Sequence, residues 1–151
     1  MFLKKNLVHA IHAYAAMKFG EINNRNGKVT HMILGIGLDI IELDRIRRIV
    51  ERQPGFIKRI LTINEIETFS TLSKERKVEY LAGRFAAKEA YAKARGTGIG
   101  EDLSFQDIEV KNEKSGKPYI TVQTEKIQNK HISITHSREY AAAQVIIEHL
   151  S

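Results

Sequence analysis

From Met32 onward, hydrophobic and polar positions follow two periods in succession. Residues 33–41 (ILGIGLDII) form a short, Ile-rich apolar run, which predicts a buried strand. Gly35 and Gly37 inside it mark a bend or a close backbone approach. Leu43, Ile46, Ile49 and Val50 recur at helical spacing, so an amphipathic helix is expected over 42–53. Pro54-Gly55 breaks the chain, and 56–61 reads as a short helical piece. Thr62 with Glu65 forms a capping box that opens a helix over 64–72. Ser73, followed by Arg76 rather than an acid, is a weaker cap for a long helix running to Arg95. Leu81, Phe85, Ala86, Ala90 and Ala94 give that helix a narrow apolar strip. It must end near Gly96, because Gly96, Gly98 and Gly100 offer the left-handed conformations that stop a helix. Beyond Gly100 the period becomes two. Strands are expected over 105–110, 119–124, 131–136 and 140–148, the last two joined by a short turn through 137–139. Helices combined with a few antiparallel strands make an α+β domain.

Residues 1–31 lack this patterning and are expected to be an N-terminal extension outside the domain, which spans 32–151. LVHAIHAYAA resembles the apolar region of a signal peptide, but His9 and His12 interrupt it. No apolar run reaches membrane-spanning length. The absence of cysteine excludes disulfides, thiol nucleophiles and thiolate metal sites, and agrees with a cytoplasmic protein. The net charge of +6 suggests a polyanionic partner. Its distribution changes that picture. Residues 1–31 carry Lys4, Lys5, Lys18, Arg25 and Lys28 against Glu21, which leaves +4 there and only +2 for the rest. A preference for anions must therefore come from local clusters. Arg45, Arg48 and Arg52 form one such ridge, suited to an acidic helix of a partner protein, to a phosphate backbone, or to plain solvation.

The chemistry concentrates on the long helix. Helical phase stacks Phe85, Glu89 and Lys93 in one row, and Arg84, Lys88 and Ala92 in the next. Taken alone, Glu89 and Lys93 are an ordinary surface ion pair one turn apart. Asp39, at the end of an apolar run, is either an N-cap or a carboxylate that needs a partner or a metal. Two carboxylates together with substrate phosphate oxygens suit Mg²⁺, which seldom has an all-protein cage. Lys93 can meet charge on a leaving phosphate. Arg84, Lys88 and the Gly96-Thr97-Gly98 loop add phosphate donors, and His136 between Thr135 and Ser137 is another anion-friendly cluster. The residues alone thus predict a magnesium-dependent site for a phosphorylated ligand.

GIGLDIIELDRI (35–46), RILTINE (59–65), YLAGRFAAKEAYAKARGTGIG (80–100), SFQDIEV (104–110), GKPYI (116–120) and SITHSREYAAAQVIIE (133–148) resemble the holo-acyl-carrier-protein synthases. These are the small trimeric branch of the 4′-phosphopantetheinyl transferases. The resemblance covers the chain from Met32 onward. It implies one long central helix with shorter helices packed on a small antiparallel sheet. It also implies transfer of the 4′-phosphopantetheine arm of coenzyme A to a serine of apo-acyl carrier protein, with release of adenosine 3′,5′-bisphosphate, in fatty acid biosynthesis.

Asp39 and Glu89 match the family's Mg²⁺ ligands, and a metal-bound water or Glu89 would accept the serine proton. Lys93 would neutralise the leaving phosphate. Arg84 and His136 match positions that hold coenzyme A phosphates, with Gly96, Thr97, Gly98 and Ser137 beside them. Lys117 and Pro118 match the loop near the adenine. Arg45, Arg48 and Arg52 lie on the helix that meets the acidic carrier protein, and active sites fall between protomers of a homotrimer. Arg95 stands where many relatives have a smaller or apolar residue. A basic nucleic-acid-binding module is the second reading. The nearly neutral domain, the lack of interleaved aromatics and the carboxylates in the phosphate path oppose it. A non-catalytic coenzyme A binder is the third, opposed by the intact Asp39 and Glu89.

Overall fold

The structure, a computed structural model, describes residues 31–123 and 129–150. The extension expected at 1–31 lies, His31 apart, outside them, as does Thr124. Strand β1 (His31–Glu42) leads into helices α1 (Leu43–Arg52), α2 (Pro54–Ile60), α3 (Ile63–Ser70) and α4 (Lys74–Arg95). A 3₁₀ turn (Phe105–Asp107) precedes β2 (Ile108–Asn112) and β3 (Pro118–Val122), and β4 (Asn129–His136) and β5 (Tyr140–Leu150) follow. The strands form two antiparallel sheets, β1–β5–β4 and β2–β3. This is the expected α+β fold with one long helix, and its 22 residues make α4 the axis of the core.

The sheet and α4 approach closely because both surfaces are small-sided. Ala82, Ala86, Ala87, Ala90 and Ala92 of α4 are fully buried, as are Ala141, Ala143 and Val145 on the inner face of β5. On β1 the facing positions are Gly35 and Gly37. A Cβ built at Gly35 would stand 1.9 Å from the Ala94 carbonyl oxygen, and one at Gly37 would stand 1.8 Å from that of Ala90. Backbone therefore packs on backbone, and the glycines mark a close approach, as their place in a strand predicted. The ladder also shifts register between Ile33 and Gly35. Around this contact Phe85 stacks between Phe56 and Phe105, with centroids 6.2 and 5.5 Å away. Each large apolar side chain buried in this way contributes roughly 1.5–3 kcal/mol.

Three expectations need correction. The run at 33–41 is buried on one face only: Ile36, Leu38 and Ile40 stand 56%, 63% and 64% exposed. A continuous apolar run cannot tell a doubly covered strand from one whose outer face is open. The strand expected from Phe105 begins as a 3₁₀ turn, since Asp107 Oδ2 accepts from both the backbone N (2.8 Å) and Oγ (2.7 Å) of Ser104. The N-cap alternative for Asp39 fails, because Glu42 holds that position and Asp39 points inward from β1. The Thr62–Glu65 capping box forms as expected.

Candidate active site

The glycine-mediated contact brings β1 and α4 together where each carries a carboxylate. Asp39 follows Gly37 by two residues and so shares its inner face. Glu89 precedes Ala90, the residue Gly37 touches. Asp39, Ile40, Ile41, Glu42, Arg45, Phe85 and Glu89 line one open cleft of about 360 Å³. Lys93, one turn beyond Glu89, reaches across to donate to Asp39 Oδ1 at 2.7 Å and to the Leu38 carbonyl at 3.2 Å. The Glu89–Lys93 surface pair of the sequence is thus a Lys93–Asp39 pair between elements.

The electrostatics are those of two acids held together. Burial pushes the Glu89 carboxyl above its ordinary range. The Asp39 charge pushes it further, while Lys93 opposes both. Asp39 Oδ2 is buried and has no hydrogen-bond partner among the described residues. An orphaned carboxylate oxygen beside a second, reluctantly ionised carboxylate is a donor set that a divalent cation would satisfy. Among the described residues no group of three or more His, Asp or Glu forms a metal cluster. An ion held here would take its remaining ligands from water or substrate oxygens, as Mg²⁺ commonly does.

The other expected residues fall into separate groups. Arg45 links the acidic cleft to a second groove of about 410 Å³, lined by Arg45, Arg48, Ile49, Arg52, Gln53 and Phe56. The arginine ridge therefore borders an apolar floor beside the carboxylates. Arg84 does not line the cleft. It lies 4.2 Å over the Tyr80 ring and donates to Asn112 Oδ1 at 2.8 Å. Asn112 in turn binds the Gly116 carbonyl at 2.8 Å, in the turn that carries Lys117 and leads to Pro118. Arg84, Lys117 and Pro118 so belong to one neighbourhood around the β2–β3 hairpin.

Gly96 and Gly98 take the positive φ angles (79° and 68°) that end α4, and Thr97 Oγ1 between them is buried without a partner among the described residues. His136 is exposed at the end of β4, opposite Ala141, and does not line the cleft. The Ser137 hydroxyl is engaged in its own turn, accepting from the backbone of Glu139 (3.3 Å) and Tyr140 (3.1 Å).

Lys88 is not a phosphate donor. It is fully buried and donates to Glu65 Oε2 (2.6 Å), the Ile60 carbonyl (2.6 Å) and the Phe105 carbonyl (3.0 Å). Those three acceptors use its three donors. Glu65 was legible only as half of a capping box. Its other oxygen accepts from Val110 N at 2.9 Å, a partner far along the chain. Glu42 in the cleft wall carried no signal of its own, and Phe85 was legible as part of the helix's apolar strip and of the row with Glu89 and Lys93, not as a wall of the cleft.

A family profile described as the 4′-phosphopantetheinyl transferase superfamily matches residues 35–145. The chain belongs to that superfamily. Among its members, the holo-[acyl-carrier-protein] synthase of Anoxybacillus flavithermus is 61% identical over 120 residues, covering 80% of this chain and 99% of the relative. That of Bacillus subtilis is 58% identical over 120 residues, with the same coverage. A crystal structure of a holo-(acyl-carrier-protein) synthase from Bacillus anthracis in complex with CoA (3′,5′-ADP) superposes with a TM-score of 0.72 at 52% identity. It covers 78% of this chain and 97% of that one. The Helicobacter pylori enzyme in complex with coenzyme A gives 0.66 at 36% identity, over 74% and 98% of the two chains. Every expected site residue of this transferase, from Asp39 to Ser137, lies inside the matched span.

Proposed function

We propose that the chain is a holo-acyl-carrier-protein synthase. It moves 4′-phosphopantetheine from coenzyme A to a serine of apo-acyl carrier protein and releases adenosine 3′,5′-bisphosphate. The observation that carries this reading is the convergence of Asp39 and Glu89 on one cleft, in a chain 61% identical to an enzyme of that name. Asp39 and Glu89 would hold Mg²⁺, which when bound would supply Lewis-acid polarisation and charge neutralisation at the diphosphate.

The serine oxygen bonds to the phosphorus that bears the pantetheine arm, and the diphosphate P–O bond on its far side breaks. Glu89 takes the serine proton. Lys93 meets the charge that develops on the departing phosphate. Positioning and charge neutralisation supply most of the rate.

Arg84, Lys117 and Pro118 hold the nucleotide end at the hairpin, with the Gly96-Thr97-Gly98 loop, His136 and Ser137 as further coenzyme A contacts. That neither His136 nor Ser137 lines the acidic cleft fits a site completed by a neighbouring protomer of a homotrimer. Support for assembly is the outer face of the β1–β5–β4 sheet, where Ile36, Leu38 and Ile40 stand in solvent. Arg45, Arg48 and Arg52, around an apolar groove, receive the acidic carrier protein. His31 opens β1, so the N-terminal extension is residues 1–30. No helix among the described residues is long and apolar enough to cross a membrane. The cytoplasm, where coenzyme A and the carrier protein meet, is the expected compartment.

The test is the mass of apo-acyl carrier protein after incubation with coenzyme A and Mg²⁺. One phosphopantetheine arm should be added, and none when a chelator is present. An unchanged carrier mass with well-folded protein overturns the reading.

A further inference from the structure

We infer that Lys93 couples the metal to the diphosphate, by competing with the metal for Asp39 until substrate draws its ammonium away. The inference rests on the reading of Asp39 and Glu89 as the metal pair. Lys93 Nζ is 2.7 Å from Asp39 Oδ1 and 3.2 Å from the Leu38 carbonyl, while Asp39 Oδ2 is the buried oxygen without a partner. An ammonium and a divalent cation would therefore share one carboxylate group, and like charges held so close repel. Glu89 lines the same cleft. Arg45 and Glu42 are the other charged residues of the cleft wall.

Lys93 is not locked in place. Its side chain is 51% exposed against 14% for Asp39, so the flexible partner is the lysine. A diphosphate beside the cleft offers that ammonium a second, more highly charged acceptor. Once it turns to the phosphate, Asp39 is free of a competing cation and holds the metal more tightly. Coupling of this kind is reciprocal, so the metal must tighten coenzyme A by the same factor. Loading then follows an order set by charge: metal alone binds weakly, substrate and metal together bind strongly.

The experiment measures Mn²⁺ affinity of the full chain at pH 8 by electron paramagnetic resonance, with and without coenzyme A. It compares wild type, Lys93→Met, Lys93→Arg and Asp39→Ala. Without coenzyme A, Lys93→Met should bind Mn²⁺ roughly tenfold more tightly than wild type, because a repelling charge is gone. Lys93→Arg, which keeps the charge, should stay near wild type. The factor by which coenzyme A tightens Mn²⁺ should shrink at least about threefold in Lys93→Met, since only direct contact between metal and diphosphate remains.

A Lys93→Met protein that binds Mn²⁺ no better than wild type, or a coenzyme A factor that does not shrink, overturns the inference while leaving the metal site in place. Wild type that binds no Mn²⁺, or Asp39→Ala that binds it equally well, overturns the metal reading itself and the inference with it.

Discussion

At the scale of single residues, environment separates side chains that look alike in the sequence. Lys88 and Lys93 stand five apart on one helix, yet one is sealed among three acceptors and the other reaches into an open cleft. Truncating a buried, fully bonded ammonium leaves Glu65 charged and unpaired, so Lys88→Met should lower unfolding free energy by roughly 3–5 kcal/mol. Urea denaturation measures this, and a loss below about 1 kcal/mol would show that the pair is relaxed or hydrated. Glu89 gives a prediction of a different kind. Its ordinary titration range is displaced upward by burial and by Asp39, so it becomes protonated at a higher pH than a free glutamate. In the metal-free protein the Glu89 carboxyl should therefore titrate above the usual carboxylate range, as read by NMR of its side-chain carboxyl carbon. Asp39→Asn removes the neighbouring charge and should move that titration downward. A titration that stays where it was in the variant would remove Asp39 from the cause. Glu89→Gln should lower kcat by at least about 10²-fold, the lower end of what a positioned acid–base group contributes.

At the scale of elements, the contact between β1 and α4 decides whether the two carboxylates meet. Gly37 has no room for a side chain, because a Cβ there would lie 1.8 Å from a backbone oxygen that cannot swing aside. Gly83, on the same helix, is a fair comparison, since its Cβ would meet only the Ile134 Cγ2 methyl at 3.2 Å. Gly37→Ala should force strand and helix apart, costing roughly 1–3 kcal/mol or more. Gly83→Ala should cost less, offset by the gain in helix propensity of about 1 kcal/mol. Thermal unfolding of the two variants ranks them, and equal melting temperatures would sink the account. The two glycines were visible in the sequence as a close approach, but the partner was not, since nothing local names Ala90 and Ala94 as the surface they meet. The long helix, the capping box and the glycine stop were all legible because each is set by neighbours within a turn. Lys88 was misread for the converse reason. Its partners at Ile60, Glu65 and Phe105 lie 28, 23 and 17 residues away, and only the fold brings them together. Asp39 and Glu89 were legible as two carboxylates suited to Mg²⁺, but their meeting had to be assumed or taken from resemblance, since spacing along a chain cannot show that a strand and a helix converge.

At the scale of the whole molecule, the open sheet face and the scattered site residues raise one question. Ile36, Leu38 and Ile40 project from β1 on the face away from α4, each more than half exposed, in a row two residues apart. Their neighbours across the ladder are Ile146, Gln144 and Ala142 of β5, and His131, Ser133 and Thr135 of β4 continue the face. An apolar stripe with a polar margin is the composition of an interface rather than of a solvated surface. The inner face of the same three strands holds Asp39, so burying the outer face against another subunit would also stiffen the metal site from behind. Leu38→Glu puts a charge in the centre of the stripe while leaving the inner face and the α4 contact untouched. The variant should be folded by circular dichroism, yet sediment as a monomer at concentrations where the wild type sediments as the proposed trimer. If His136, Ser137 or the hairpin group serves a cofactor held mainly by a neighbour, the monomer should also raise KM for coenzyme A more than tenfold. Mixing it with a Glu89→Gln partner that still assembles should then fail to restore turnover. A Leu38→Glu protein that sediments as the wild type does removes the stripe from the interface. One that is monomeric with an unchanged KM shows each protomer to hold a complete coenzyme A site.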